Sequence, residues 1–486
     1  MVDVAFYGDD FTGSTDALRQ FERGGLRSVL LVELPSASEL QTLASRYDVI
    51  GVAGIARSLA PNDQEAAIRP ILTALCDLGP RVVQYKICST ADSSPHLGSL
   101  GRALEVGRSI FGTSVIPVLA AQPELGRYTV FGHHFAAEAG TVHRLDRQPT
   151  MANHPATPMN ESDLRIHLAS QTNLRIGSIH LNQYADLLAH YAQAADVDVL
   201  ILDSLTDDDL RVVGQAILAP DNNQPTFAMG SGGLSRALAL GLADAVKAEA
   251  SEHMRPGGGE VEGQGLPSAG HTGAGPWPSA TGDGAGAQPK RSAVGARAHP
   301  SRGADGTEPQ PLGNGVGGRV GLGPVGGQVL VVSGSQSVRT AEQIEWAAAA
   351  GWTVLAVGDG GAVGGEAMEA LQAGAPGVVV HTGRADGRLA AEALASFASE
   401  LAEVVRVVAR GTDVRRVVVA GGDTSGRVLR ELGVTALELV STSERFGPGL
   451  TLCRSIAAEP DVDRLQILLK GGQLGAPELF ETIRIA

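Results

Sequence analysis

Cysteine, aromatic residues and positive charge are all scarce in this chain, and each shortage closes off a class of explanation. Three cysteines (Cys76, Cys88, Cys453) are too few and too scattered for a disulfide framework. With only 4 % aromatic residues, any core must be aliphatic, and 43 % hydrophobic content is enough to build one. A net charge of −15 argues against a nucleic-acid partner or an acidic membrane surface, because either needs a basic face. Any phosphate site must therefore be built locally. No apolar run approaches the ~18 residues of a membrane span. Asp3, Asp9 and Asp10 interrupt any signal-like opening, so the chain reads as soluble and cytoplasmic. Two nucleotide signatures are missing as well. No Gly-x-x-x-x-Gly-Lys-[Ser/Thr] run exists, and neither does the His-Arg-Asp and Asp-Phe-Gly set of protein kinases.

What the chain does have is a sharp break in composition. Residues Arg255 to Gln328 hold 22 of the 63 glycines and 9 of the 25 prolines, with almost no large apolar residues. Such a segment cannot bury enough surface to offset its ordering entropy, so it reads as a disordered linker or insertion. The domain reading that follows is 1–254, a linker at 255–328, and 329–486. Two dinucleotide-like fingerprints, Gly313-x-Gly315-x-x-Gly318 and Gly321-x-Gly323-x-x-Gly326, fall inside it. Neither follows a strand or opens a helix, so neither has the context the motif needs.

Both flanking halves alternate strand-like and helix-like runs, which implies α/β domains with largely parallel sheets flanked by helices. In the first half, Val2-Asp3-Val4-Ala5-Phe6 leads into Tyr7-Gly8-Asp9-Asp10-Phe11-Thr12-Gly13, and Ser14 to Phe21 reads as helix. Two adjacent carboxylates and a threonine thus sit on a strand-to-helix turn, where open α/β sheets bind ligands. Paired aspartates repel each other without benefit to the fold, and they suit a site that takes a proton from a hydroxyl. An Asp N-cap with a solvated neighbour is the plainer alternative. Lys86-Ile87-Cys88-Ser89-Thr90-Ala91-Asp92 follows another buried strand, and Arg57 follows a third. A lysine, a planar guanidinium and several hydroxyls are suited to an acidic, hydroxylated ligand. Arg127 to Pro155, with His133, His134, His143 and His154, matches no zinc spacing and reads as a surface loop or a substrate contact.

The second half offers three strand-to-turn sites. Val329 to Val332 runs into Ser333-Gly334-Ser335-Gln336-Ser337, Val417 to Ala420 into Gly421-Gly422-Asp423-Thr424, and Leu465 to Leu469 into Lys470-Gly471-Gly472. Glycine lets backbone amides approach a polyphosphate, and a turn feeding a helix N-terminus favours an anion.

These motifs together resemble the four-carbon acid sugar kinase family. Its Asp-Asp-x-Thr-Gly opening matches Asp9, Asp10, Thr12 and Gly13, its lysine–Ser/Thr strand end matches Lys86, Ser89 and Thr90, and its arginine matches Arg57. The Ser-Gly-Ser turn matches Ser333, Gly334 and Ser335. The Gly-Gly-(Asp/Glu)-Thr turn matches Gly421, Gly422, Asp423 and Thr424, and the Lys-Gly-Gly close matches Lys470, Gly471 and Gly472. Many relatives carry Asp-Ser-Thr after the lysine where this chain has Cys88-Ser89-Thr90, with Asp92 placed later. The resemblance implies Mg2+- and ATP-dependent phosphorylation of a small sugar acid such as a threonate, an erythronate or a 3-oxo-tetronate. It implies an acid-sugar site built by the first half and a nucleotide site built by the second. Asp10 would be the base, with Asp9 as the alternative. Arg57 and Lys86 would grip the acid, and Asp9, Thr12, Gly13, Ser89 and Thr90 would complete its site. The Mg2+ ligands and the oligomeric state stay open, a homo-oligomer included.

Overall fold

A computed structural model of the chain describes residues 2–253 and 327–486, except 113, 195, 221–223, 358–362, 384–390, 442–445 and 448. The linker reading at 255–328 falls outside the described residues except for its last two positions, and both glycine fingerprints fall wholly outside them. Its last residue, Gln328, is described, and its amide donates to Leu371 O and Ala375 O.

The α/β reading holds. Strands such as Val49–Ala53, Val82–Lys86, Val199–Leu202 and Arg416–Ala420 are short apolar runs buried on both faces, as parallel strands covered by helices must be. Eight strands of the first half lie parallel in the order Ser28–Leu31, Val49–Ala53, Val4–Gly8, Val82–Lys86, Thr226–Gly230, Ile116–Leu119, Val199–Leu202 and Ile176–Ile179. Five strands of the second half are also parallel, in the order Thr353–Ala356, Gly377–His381, Val329–Ser333, Arg416–Ala420 and Gln466–Lys470.

The two runs are one sheet of 15 strands. Leu452–Ala457 and Val434–Ser441 join them, each pairing antiparallel with its neighbours. The junction is narrow, with Ala436 opposite Leu31 and Leu437 opposite Leu30. Because three antiparallel pairings intervene, the two parallel runs point in opposite directions. The helix Phe11–Arg23 bridges them, packing on the helix Gly422–Glu431 and on the strand Gln466–Lys470. Phe11 drives this contact, since an added side chain at Gly426 would lie 2.4 Å from its ring.

The stretch read as a surface loop is instead a three-stranded antiparallel sheet, Arg127–Val130, His133–Glu138 and Thr141–Arg144. Its two hairpin turns, Phe131-Gly132 and Ala139-Gly140, hold both central residues at positive φ. That geometry matches the twist of paired strands. Phe-Gly and Ala-Gly lack the Asn or Asp that marks such turns, which is why the pattern is silent in the sequence.

Candidate active site

Asp10 is the N-cap of the helix Phe11–Arg23. Its carboxylate accepts from Gly13 N at 2.9 Å and from Thr12 Oγ1 at 2.6 Å. Both readings of the aspartate pair therefore hold at once: Asp10 caps a helix and also sits at the carboxyl edge of the sheet. Asp9 is buried beside it. Its backbone N–H donates to Lys86 O, and its carbonyl accepts from Arg57 N, which stitches three strand ends together.

Arg57 holds the two carboxylates apart from their mutual repulsion. Its guanidinium donates to Asp9 through Nη2 (2.5 Å) and Nε (3.2 Å), and to Asp10 Oδ1 at 3.0 Å. The two acids respond differently. Burial pushes Asp9 up to about 6, against the opposing pull of Arg57. Burial also acts on Asp10, but the charges of Arg57 and Lys86 and the hydrogen bonds from Thr12 and Gly13 outweigh it and hold Asp10 below the usual carboxylate range. Asp10 is thus the more firmly ionised of the two and the more exposed one, at 16 % against 3 % for the Asp9 side chain.

Lys86 ends its strand buried, and its Nζ donates to Ile87 O at 2.9 Å. An added Cβ on Gly13 would lie 2.4 Å from Asp10 Oδ1 and 2.9 Å from that ammonium. Only glycine lets the lysine and the carboxylate converge on this turn. Ser89 and Thr90 lie buried in the loop that follows. Thr90 donates to Asp92, and Cys88 Sγ lies 3.0 Å from Thr90 Oγ1. Cys88 and Asp92 act electrostatically on Arg57. Burial, with Asp92 adding to it, pushes the Cys88 thiol up to about 11, so it is a neutral hydroxyl-like neighbour and not a nucleophile.

Sequence reasoning missed the support for this loop. His134 is fully buried, with Nδ1 2.9 Å from Thr129 Oγ1 and Nε2 2.7 Å from Ser89 O. A carbonyl can only accept, so Nε2 carries the proton and the ring is neutral. Burial pushes it down to about 4. It ties the three-stranded sheet to the Ser89 loop and is no metal ligand. Among the described residues no group of three or more His, Cys, Asp or Glu side chains could hold a metal ion. Arg127, at the start of that small sheet, lies within electrostatic reach of Cys88 and Asp92.

In the second half, the three glycine-rich turns come together. Gly334 N donates to Ala420 O and Gly421 N to Lys470 O. Added side chains at Gly334 and Gly421 would meet Thr424 Oγ1 at 2.3 and 2.9 Å, and Gly421 has φ +120°. At Gly422, by contrast, nothing lies within 4 Å. No side chain among the described residues caps the helix Gly422–Glu431, whose first amides are therefore free for an anion. The neighbouring helix Val338–Ala349 is capped by Ser337, whose Oγ accepts from Thr340 N at 3.1 Å. Ser333 is buried at its strand end, and Ser335 Oγ reaches Ser337 and Thr340 at 3.3 and 3.0 Å.

Lys470 is fully buried with no carboxylate partner among the described residues. Its Nζ donates to Thr340 Oγ1 (2.8 Å), Gly471 O and Gly472 O (both 3.1 Å). Burial, with a further push from Arg339, brings it down to about 7. It locks the Gly471-Gly472 turn onto the start of the helix Val338–Ala349. Gly472 packs against Ser337 and Ser335, where an added Cβ would lie at 3.0–3.2 Å. Gly471 faces the other way, and a Cβ there would lie 3.7 Å from Thr12 Oγ1. The aspartate turn and the Lys470-Gly471-Gly472 turn therefore approach each other at this point.

Comparison with known proteins finds a family model for each half. The family model described as a sugar-binding N-terminal domain matches residues 4–238, and one described as a nucleotide-binding C-terminal domain matches residues 330–480. A 3-oxo-isoapionate kinase of Paraburkholderia graminis is 34 % identical, over 99 % of this chain and 94 % of the relative. A 3-oxo-tetronate kinase of Methylobacterium radiotolerans is 30 % identical, over 97 % and 96 %. A solved structure from Salmonella typhimurium LT2 shares the fold with a TM-score of 0.66 at 20 % identity, covering 99 % of this chain and 98 % of that one.

Proposed function

This chain belongs to the four-carbon acid sugar kinase family, and on that premise we infer that it transfers a phosphoryl group from a nucleotide to a hydroxyl of a small sugar acid. The donor is ATP with Mg2+, and the acceptor is a 3-oxo sugar acid of the kind named for the two relatives above. The observation that carries this reading is the approach of Thr12 to Gly471, which sets a proton-accepting turn against an anion-binding one.

Phosphoryl transfer asks the protein for positioning, charge stabilisation and a group to receive the proton, with little covalent work. The uncapped amides at Gly422, Asp423 and Thr424, with the open face of Gly422, suit the polyphosphate. Ser333, Gly334, Ser335, Gly471 and Gly472 shape the same cradle, and Lys470 fixes it from behind. Bound Mg2+ would offset polyphosphate charge in a protein of net charge −15. Asp10, ionised and partly exposed, takes the hydroxyl proton. Its low basicity suits a loose transition state in which the proton leaves late. Thr12, Ser89 and Thr90 orient hydroxyls, and Lys86 meets the acid's carboxylate. Arg57 spends its fork on the aspartates and joins Lys86 in offsetting the charge of the acid.

The test is ADP release by the full chain with ATP and Mg2+ against 3-oxo-isoapionate, 3-oxo-tetronate, threonate and erythronate, with the acid recovered and its phosphate content read by mass spectrometry. Acid-dependent ADP release with a phosphorylated acid is expected. ADP release without phosphorylated acid, or none above background with any acid, overturns the reading.

A further inference from the structure

An ionised carboxylate does not distinguish the proton of a sugar hydroxyl from that of water. Asp10 is partly exposed, and Thr12, which donates to it, stands against the Lys470-Gly471-Gly472 turn. A kinase built on this approach must keep water from the phosphoryl group in transit.

Two leucines lie at that approach. Leu474 closes the last turn, its N–H donating to Gly471 O at 3.2 Å. A Cβ added to Gly471 would lie 3.6 Å from Leu474 Cδ1 and 3.7 Å from Thr12 Oγ1, so leucine and threonine meet over one glycine. A Cβ added to Gly449 would lie 3.6 Å from Leu474 Cδ1 and 3.9 Å from Leu125 Cδ2. Leu474 is thus the shared neighbour of both glycines, and Leu125 reaches the same spot from the other half of the chain. Both leucines are half-buried. Leu474 packs on the core of the second half, whereas Leu125 joins none of the core clusters among the described residues. Filling a core does not account for its place.

Polar bonds fix Leu125 instead. It ends the short 3-10 turn Pro123–Leu125, and its carbonyl accepts from Arg127 Nη1 at 2.9 Å. The adjacent Glu124 accepts from Arg19 Nη1 (2.8 Å), Gln20 Nε2 (2.6 Å) and Arg23. All three donors belong to the helix Phe11–Arg23, the one that Asp10 caps. Leu125 is therefore anchored to the element that carries Asp10 and Thr12.

We propose, on the kinase reading above, that Leu125 and Leu474 close this approach against water, so that Asp10 acts on the acid's hydroxyl alone. In the reaction they guard against, a water oxygen bonds to the γ-phosphorus of ATP. The bond to the β,γ-bridging oxygen breaks, its electron pair leaves on ADP, and the water's proton passes to Asp10. The products are ADP and inorganic phosphate, with no phosphorylated acid.

The experiment measures ADP, inorganic phosphate and phosphorylated acid together, with ATP, Mg2+ and 3-oxo-isoapionate or 3-oxo-tetronate. Full-length wild type is compared with L125A, L474A, L125M and L474M, and melting temperatures are recorded in parallel. Wild type is expected to form ADP and phosphorylated acid in equal amounts. In the alanine variants ADP released per acid phosphorylated should rise about five-fold or more, with inorganic phosphate making up the difference, and methionine should restore the coupling. A purely structural role would lower both products together and leave their ratio unchanged, and that result overturns the proposal. L125A, outside the core clusters, decides if L474A does not fold. Wild type that phosphorylates no acid overturns the kinase reading and the proposal with it. Coupled wild type beside equally coupled alanine variants overturns the proposal alone.

Discussion

Thr12 Oγ1 stands 3.7 Å from where a side chain on Gly471 would begin. Thr12 belongs to the turn after the first strand, and Gly471 to the turn after the last, so residues from near the two ends of the sequence stand side by side. The contact is loose enough for one methyl group. Gly471→Ala should therefore keep its melting temperature, while Gly471→Val should lower kcat/KM at least about ten-fold by filling the space between the turns. Equal activity of the two variants would mean that the reaction does not take place between these turns.

Gly421 and Gly422 are adjacent and should behave oppositely. Gly421→Ala forces a side chain onto φ +120° and against Thr424, at a cost of about 1–3 kcal/mol of stability. Gly422→Ala should leave stability within about 0.5 kcal/mol, whereas Gly422→Val should weaken nucleotide binding by blocking close approach. Chemical denaturation and nucleotide titration of the three variants separate the two roles.

Arg57 is bonded to both aspartates, so its loss should show in stability as well as in turnover. Breaking a buried pair this way costs about 3–5 kcal/mol. The sign with pH follows from the acids. Without Arg57 the Asp9 carboxyl rises further above its unfolded value, so the folded state prefers the protonated form. The deficit of Arg57→Met should be largest near pH 8 and shrink as the pH falls towards 5. Denaturation at both pH values checks it, and a deficit that does not change with pH would contradict it.

Lys470 gives the opposite slope. Its folded value of about 7 lies below the unfolded one, so the unfolded chain holds more protons between about 7 and 10.5. Its burial penalty is therefore complete below pH 7 and is relieved as the pH rises, by up to about 1.4 kcal/mol per pH unit. Lys470→Met should lose that rise, seen as a flatter melting temperature between pH 7 and 9.

Much of this was legible because strands buried on both faces announce themselves as apolar runs, and the turns after them as clusters of Gly, Ser, Thr and Asp. Asp9, Asp10, Lys86 and the three glycine turns were all read that way. The joining strands Val434–Ser441 and Leu452–Ala457 were not. They alternate and carry charges such as Glu438 and Arg454, so their pairings, with each other and with Ser28–Leu31 and Gln466–Lys470 on either side, are decided by tertiary contact and not by local pattern. Arg57 was legible as a candidate, but its attachment to the aspartates depends on distances that no spacing encodes. His134 was visible only as one of several histidines, and nothing local says that a carbonyl 45 residues away would fix its tautomer.

The most direct measurement is steady-state phosphorylation by Asp10→Asn, with nucleotide affinity determined in parallel. The substitution keeps size and hydrogen-bonding reach but cannot take up the hydroxyl proton. A fall in kcat of about 10²- to 10⁴-fold with unchanged nucleotide affinity is expected. A near-normal kcat in Asp10→Asn, beside an inactive Asp9→Asn, would contradict the assignment of the base.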